Sequence, residues 1–227
     1  DMKKTKHLLL VAICIAFVTV SYGQHKRYAI KNGVGIQGGM TQFDIITDNF
    51  VTKKNTGFIG GLSASVDIPH KWYNVSYNIL LSQNHIDIAA YSLSNPTEEF
   101  VEYKLLTAQL SFLFHAKLIG SNLTLDLGPM LQYNGDLELK DESKEGYVIS
   151  DYDTLLTEDI SKISNFNVNG AVGLSAGFGA FKLRAQYIYG FTNILGNLND
   201  EDLNVGSNDN KFKGNQSMLA FTAVITF

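Results

Sequence analysis

The stretch 166–194 constrains the fold of this chain more than any other, because it alternates apolar side chains with polar or small ones over two long runs. Successive side chains of a β-strand point to opposite faces, so each run predicts a strand with one apolar face. The runs meet at Gly179-Ala180, which predicts a tight turn. The two apolar faces consist of Phe166, Val168, Val172, Leu174, Ala176 and Phe178, and of Phe181, Leu183, Ala185, Tyr187, Tyr189 and Phe191.

Both runs are longer than the usual strand of five or six residues, and aromatic residues stand at both ends of each apolar face. This pattern is typical of a strand that crosses a membrane in a barrel, with apolar side chains towards lipid and aromatic girdles at the two interfaces. A soluble lipocalin-like barrel would instead turn the apolar faces inward around an apolar ligand. That arrangement stays open as an alternative.

Alternation of the same kind recurs along the chain and predicts eight strands. The connections after strands two, four and six are short, whereas those after strands one, three, five and seven are long and polar, as in outer-membrane barrels. We therefore predict an all-β fold, an eight-stranded antiparallel up-and-down transmembrane β-barrel. The predicted strands lie at about 33–43, 57–68, 72–83, 100–115, 123–133, 166–178, 181–191 and 216–227.

The third strand carries a change of pattern near its end. Its apolar residues have odd numbers up to Leu81, whereas Ile86, Ile88 and Ala90 have even numbers. A β-bulge inserts one extra residue and reverses the faces, so we expect a bulge if the strand continues to Ala90.

The N-terminus resembles a removable export signal. Three lysines precede the apolar segment 8–20, which is too short to span a membrane as a helix, and Ser21-Tyr22-Gly23 fits a cleavage site. We expect 1–23 to be a signal peptide and 24–227 to be one outer-membrane barrel domain. Cys14 is the single cysteine and lies in the signal, so the exported part has no thiol or disulfide.

Charge argues against nucleic acid as a partner. The segment 24–227 holds 15 Lys and Arg against 21 Asp and Glu, a net charge of about −6 without a basic patch. The segment 134–165 alone holds nine acidic residues and three lysines, which is typical of a solvated loop.

Three segments resemble the PorT-type outer-membrane β-barrel family of Bacteroidetes. They are LTAQLSFLFHAKL (106–118), LTLDLGPMLQY (123–133) and RAQYIYGFTNI (184–194), and the final strand ends in Phe227 as assembly signals of outer-membrane barrels do. The family often has Arg where this chain has Gln186, and Arg184 lies on the same face. The resemblance implies a non-enzymatic, porin-like protein of the bacterial outer membrane. It also implies a link to protein secretion. We further expect a binding or scaffolding surface in the external loops, chiefly 134–165 and 193–215.

Two short motifs suggest other chemistry but lack the required context. The glycines of 33–38 match a dinucleotide fingerprint, and 173–177 matches a nucleophile elbow, yet neither is followed by a predicted helix. A lipid-modifying enzyme remains an alternative, for which His85 and Ser82 are the candidate base and nucleophile near a loop end.

We predict no catalytic, cofactor-binding or metal site. Eight strands leave room inside only for side chains, and buried charges must pair, so the lumen is expected to hold a polar network. We expect outer-membrane lipid around a monomeric barrel, with secretion-system or surface proteins as further partners. The predicted network consists of Asp67, His115, Asp126, Lys182 and Arg184.

Overall fold

The computed structural model of the chain describes residues 30–206 and 211–227. The predicted signal peptide and the start of the predicted barrel domain at residue 24 lie outside the described residues. Among the described residues the structure consists of strands and three single turns of 3₁₀-helix. The strands are β1 (Lys31–Thr47), β2 (Thr52–Asp67), β3 (Tyr73–Ser92), β4 (Asn95–Ile119), β5 (Leu123–Leu139), β6 (Val148–Ile149), β7 (Phe166–Phe178), β8 (Phe181–Gly190) and β9 (Gly214–Thr226).

Eight of these strands close into a ring. The order is β2-β1-β9-β8-β7-β5-β4-β3, every pair is antiparallel, and β2 pairs with β3 to complete the circle. The 166–194 hairpin forms as predicted, with Phe178 opposite Phe181. The eight-stranded antiparallel barrel is confirmed. Closure leaves no strand edge within the ring, which matters because lipid cannot hydrogen-bond an open edge.

The exterior of the barrel is apolar. On β3, Tyr77, Ile79 and Leu81 keep between 54% and 66% of their surface exposed. Aromatic side chains mark both margins of this belt, with Trp72, Phe178 and Phe227 at the short-turn end and Tyr133, Phe166 and Phe191 at the other end. An apolar belt of this extent, bounded by aromatic residues at both margins, indicates a surface that lipid covers. The faces are therefore those of a membrane barrel, and the lipocalin-like alternative is excluded.

Two of the connections predicted to be long are in fact short. The β1–β2 turn contains only residues 48–51, and the β3–β4 turn only residues 93–94. The strands themselves continue, because β4 has 25 residues whereas about 9–11 suffice to cross a bilayer. The polar residues for which the sequence predicted loops lie on the outward face of two hairpins, and these hairpins project beyond the lipid belt.

The bulge predicted in β3 is absent. The register of β3 with β4 is continuous from Tyr73 to Tyr91, and the irregularity in this part of the ring lies in β2, between Lys54 and Phe58. Even-numbered side chains of β3 point inward throughout. The apolar residues change from odd to even numbers because the interior of the barrel changes from largely polar to apolar at the external end.

A folded unit with an apolar core closes the external end of the barrel, and we call this unit the external cap. It consists of the described parts of the two long connections, 140–165 and 191–213 without 207–210, packed on inward side chains of the projecting hairpins. The strand β6 pairs with Ala90 and Tyr91 of β3 and anchors the first connection. The buried apolar members include Phe43, Ile45, Phe50, Ile86, Ile88, Val101, Tyr103, Leu105, Ile149, Tyr152, Leu155, Ile160, Ile194, Leu195, Leu198 and Phe212.

Individual contacts show that the cap is tightly packed. The rings of Phe50 and Phe212 lie 5.7 Å apart, and Leu155 and Ile160 are fully buried. Burying such an aliphatic side chain contributes roughly 1.5–3 kcal/mol. The Tyr103 hydroxyl donates to the carbonyl oxygen of Thr157 over 2.9 Å, and burial raises the pKa of Tyr103 well above its ordinary value. The acidic segment is therefore a folded unit and not the loose solvated loop that its charge predicted.

A matched pair of arginine substitutions tests the extent of the lipid belt. Ile79→Arg places a charge inside the belt and is expected to destabilise the barrel by about 2–4 kcal/mol. Leu93→Arg changes a residue in the external turn that is even more exposed (74% against 61% for Ile79) and is expected to cost less than about 0.5 kcal/mol. Urea titration of folding into lipid vesicles, followed by gel mobility without boiling, measures both. Equal costs would contradict the placement of the belt.

Candidate functional site

A polar cavity opens in the lumen at the short-turn end of the barrel. Its volume is about 380 Å³, which lies within the range of pockets for small ligands. Four of the five residues of the predicted polar network line it, and the fifth, Asp126, is buried directly behind it. The cavity is lined by Lys31, Asn32, Ser63, Ser65, Asp67, Asn74, Ser76, His115, Ser121, Asn122, Thr124, Ser175, Lys182, Arg184, Thr226 and Phe227, among others.

The centre of the network is Asp126, whose side chain is completely buried. Strand register brings its partners together, because His115 is directly opposite Asp126 in the β4–β5 pair. His115 Nδ1 lies 2.7 Å from Asp126 Oδ1, and Thr124 donates to the same oxygen over 2.6 Å. Ser175 donates to Asp126 Oδ2, and Arg184 Nε lies 3.4 Å from that oxygen. The buried carboxylate therefore has a cation and three hydrogen-bonding partners.

The structure adds Ser76, which the sequence did not single out. Its hydroxyl lies 2.8 Å from Nε2 of His115 and accepts a hydrogen bond from Nδ2 of Asn78 over 3.2 Å. A serine, a histidine and an aspartate thus form one continuous hydrogen-bonded chain. Residue parity could have placed Ser76 on the inward face, but no local signal indicates that its strand lies beside His115.

A second charged pair lies nearer the opening. Lys117 Nζ contacts Asp67 Oδ1 at 2.7 Å, and Ser121 donates to Asp67 Oδ2 over 3.1 Å. Lys117 was missing from the predicted set, although its odd number places it on the inward face of β4. Lys182 lines the same cavity without an ion pair to any described residue. The network therefore divides into a buried centre, a pair near the opening and one free ammonium group.

The residues that suggested other chemistry do not converge. Ser82 points inward and hydrogen-bonds Thr107 at 2.6 Å, whereas His85 points outward and contacts Glu102 at 2.6 Å. The lipid-modifying alternative therefore loses its candidate pair. The glycine motif 33–38 lies inside β1 between two paired strands, which excludes the strand–turn–helix context of a dinucleotide site.

The described residues contain neither a cluster of metal ligands nor a membrane-spanning helix. No group of three His, Cys, Asp or Glu side chains in 30–206 and 211–227 is arranged to hold a metal ion. No helix within the same ranges is long and apolar enough to cross a membrane.

The upper lumen is filled by side chains. Asn78, Gln109, Met130 and Gln132 lie between the polar cavity and the external cap, and each is at most 2% exposed. Amide pairs cross the lumen between non-adjacent strands, with Gln216 Nε2 of β9 donating to Gln132 Oε1 of β5 over 3.1 Å. The cavity therefore ends within the barrel.

Comparisons with solved structures return bacterial outer-membrane barrels. The chain aligns with Neisserial surface protein A at 13% identity and a TM-score of 0.49, covering 86% of this chain and 97% of that one. It aligns with the outer membrane protein OprG from Pseudomonas aeruginosa at 11% identity and a TM-score of 0.45, covering 86% and 96%. The attachment invasion locus protein Ail of Yersinia pestis aligns at 12% identity and a TM-score of 0.43, covering 87% and 99%.

The sequence itself matches no protein-family model and no curated protein. The lipid-facing belt, the closed ring and the aromatic margins carry the assignment on their own physical grounds. The chain is a transmembrane β-barrel with the architecture of bacterial outer-membrane barrels.

Removing the buried carboxylate tests the energetics of the network. Asp126→Asn leaves Arg184 buried without its ion pair, so we expect a loss of about 3–5 kcal/mol in the free energy of unfolding. Asp136→Asn removes the partner of Lys162 in an ion pair whose side chains are about half exposed, and is expected to cost less than about 1 kcal/mol. Urea titration compares the two variants. A cost for Asp126→Asn no larger than for Asp136→Asn would contradict the network.

Proposed function

We propose that this protein is a non-conducting outer-membrane barrel that presents the external cap and its hairpins as a binding or scaffolding surface. The observation that carries the proposal is the apolar core of the cap, which turns two acidic connections into a folded platform. A preorganised surface binds with less loss of conformational entropy than a flexible loop.

The closed lumen favours a role other than the diffusion of solutes across the membrane. Small solutes need a continuous aqueous path, and eight strands give an interior only wide enough for side chains. Buried amides and Met130 separate the cavity at the short-turn end from the cap. The protein therefore resembles porins in architecture but not in transport.

The platform also offers exposed apolar side chains above the lipid belt. Val51 and Leu93 stand in the two external turns and are 41% and 74% exposed. Exposed apolar groups on a rigid surface favour contact with another protein. The resemblance to the PorT family suggests that such a partner belongs to a protein secretion apparatus, and it is the basis for that part of the proposal.

A photo-crosslinking experiment in intact cells tests the surface. A photoreactive phenylalanine replaces Leu93 in the external turn or, as a matched control, Ile79 in the lipid belt, both of which are highly exposed. We expect a protein adduct from position 93 and none from position 79. No adduct at position 93 in cells that secrete normally would overturn the proposed platform.

Conductance tests the closed lumen separately. Purified barrel in a planar lipid bilayer is expected to give no stepwise current at physiological salt.

Deletion of the gene that encodes the barrel tests the link to secretion. We expect the set of exported proteins to change, and an unchanged set would contradict the link.

A further inference from the structure

The polar cavity contains more than a structural network, because one of its hydroxyl groups is placed as a nucleophile. We propose that Ser76, His115 and Asp126 form a hydrolytic site for small, negatively charged esters that enter from the short-turn end. This activity is independent of the external platform, since it uses the opposite end of the barrel.

The hydrogen-bond geometry fits the arrangement of protons that acyl transfer requires. In that arrangement Asp126 accepts a hydrogen bond from Nδ1 of His115 over 2.7 Å. Nε2 is then an acceptor, and the Ser76 hydroxyl donates to it over 2.8 Å. Asn78 donates to the oxygen of Ser76, because a hydroxyl group that donates its proton can still accept a hydrogen bond. A hydroxyl that donates to a histidine oriented by a carboxylate is the arrangement that activates serine for acyl transfer.

Asp126 acts as a positioning residue, because it contacts the imidazole and lies behind the cavity. Thr124 and Ser175 donate to its two oxygens, and Arg184 lies beside it. These contacts fix the carboxylate in one orientation. A fixed carboxylate selects the tautomer of His115 whose Nε2 can accept the serine proton.

The cavity supplies access and a hydrogen-bond donor. Ser76 and His115 both line it, and each is less than 10% exposed, so only small substrates can reach them. Asn74 precedes Ser76 by two residues on the inward face of β3 and is directly opposite His115. It is 6% exposed, and its Oδ1 has no hydrogen-bond partner among the described residues. In the proposed site, the Nδ2 group of Asn74 is the hydrogen-bond donor for the developing oxyanion.

The charges in the cavity indicate the class of substrate. Lys182 lines the cavity without an ion pair to a described residue, and Arg184 lines it as well. The carboxylate of Asp67 is already paired with Lys117. An ammonium group without a described ion pair, in the same cavity as the nucleophile, favours an ester that carries a carboxylate or another anionic group.

The reaction follows from these positions. Ser76 Oγ attacks the carbonyl carbon while its proton moves to Nε2 of His115, and the acyl C–O bond then breaks as that proton passes to the departing alcohol. A water molecule attacks the acyl–serine ester and gives its proton to His115. The proton returns to Ser76 Oγ as the carboxylic acid leaves, so no oxidant, reductant or further reactant is needed.

Labelling with a small fluorophosphate ester tests the nucleophile directly. The full chain is folded into detergent micelles, treated with diisopropyl fluorophosphate and examined by peptide mass spectrometry. We expect modification at Ser76. His115→Gln is expected to slow the labelling by about 10²–10⁴-fold, the usual contribution of a general base.

Ser82→Ala is the matched control, because Ser82 is a buried, inward-facing serine of the same strand that lies outside the cavity and hydrogen-bonds Thr107. Ser76→Ala should abolish hydrolysis of p-nitrophenyl hemisuccinate, whereas Ser82→Ala should retain it. Lys182→Gln should raise the KM for this anionic ester but not for p-nitrophenyl acetate. Every variant is first checked for the gel mobility of the closed barrel.

Asp126→Asn distinguishes positioning from folding. In molecules with the mobility of the closed barrel, it should lower the maximum labelling rate without changing the reagent concentration that gives half of that rate. A folded wild-type protein that stays unlabelled at Ser76, or that hydrolyses the ester no faster than Ser76→Ala, would overturn the proposed site. Either result would assign Ser76 a purely structural hydrogen bond.

Discussion

Lipid imposes the constraint on which the rest of this structure depends, because every backbone N–H and C=O group within the bilayer must pair inside the protein. Hydrogen bonds between β2 and β3 pair the last two strand edges and close the ring. Closure then fixes two faces for every strand, one towards lipid and one towards a narrow interior. The interior has no bulk water to hydrate buried charges, so Asp126 is surrounded by Arg184, His115, Thr124 and Ser175.

The same ring has the opposite distribution of polar and apolar side chains beyond the membrane. Where the hairpins leave lipid, their outward faces become polar and their inward faces become apolar. Ile86 and Ile88 follow Asn84 on one face of β3 without any interruption of register. This exchange lets the acidic connections pack as a cap and separates two functional regions. The external end presents a rigid surface, whereas the opposite end holds a small polar cavity.

The sequence predicted the ring well, because strand parity and aromatic margins depend on lipid alone. It predicted the two long hairpins poorly, since polar residues such as Lys53 and Glu98, which lie in β2 and β4, look like loop residues when the membrane boundary is unknown. The cap escaped prediction because Ile149, Leu155 and Ile160 are scattered among acids and meet only in three dimensions. Asp67, His115, Asp126, Lys182 and Arg184 were predicted as inward polar groups, but their partners depended on the strand register. Ser76 and Lys117 were therefore missed.

Hydrogen exchange of the external connection 140–165 tests the central claim most directly, namely that an apolar core closes the external end. In lipid nanodiscs, the amide groups of Ile149 and Thr157, which donate to the carbonyl groups of Leu155 and Tyr147, should exchange as slowly as those of the projecting hairpins. Leu155→Ala should accelerate their exchange without affecting the barrel strands. Complete exchange of these amides within seconds in the unaltered protein would show that the connection is a loose loop and would contradict the cap.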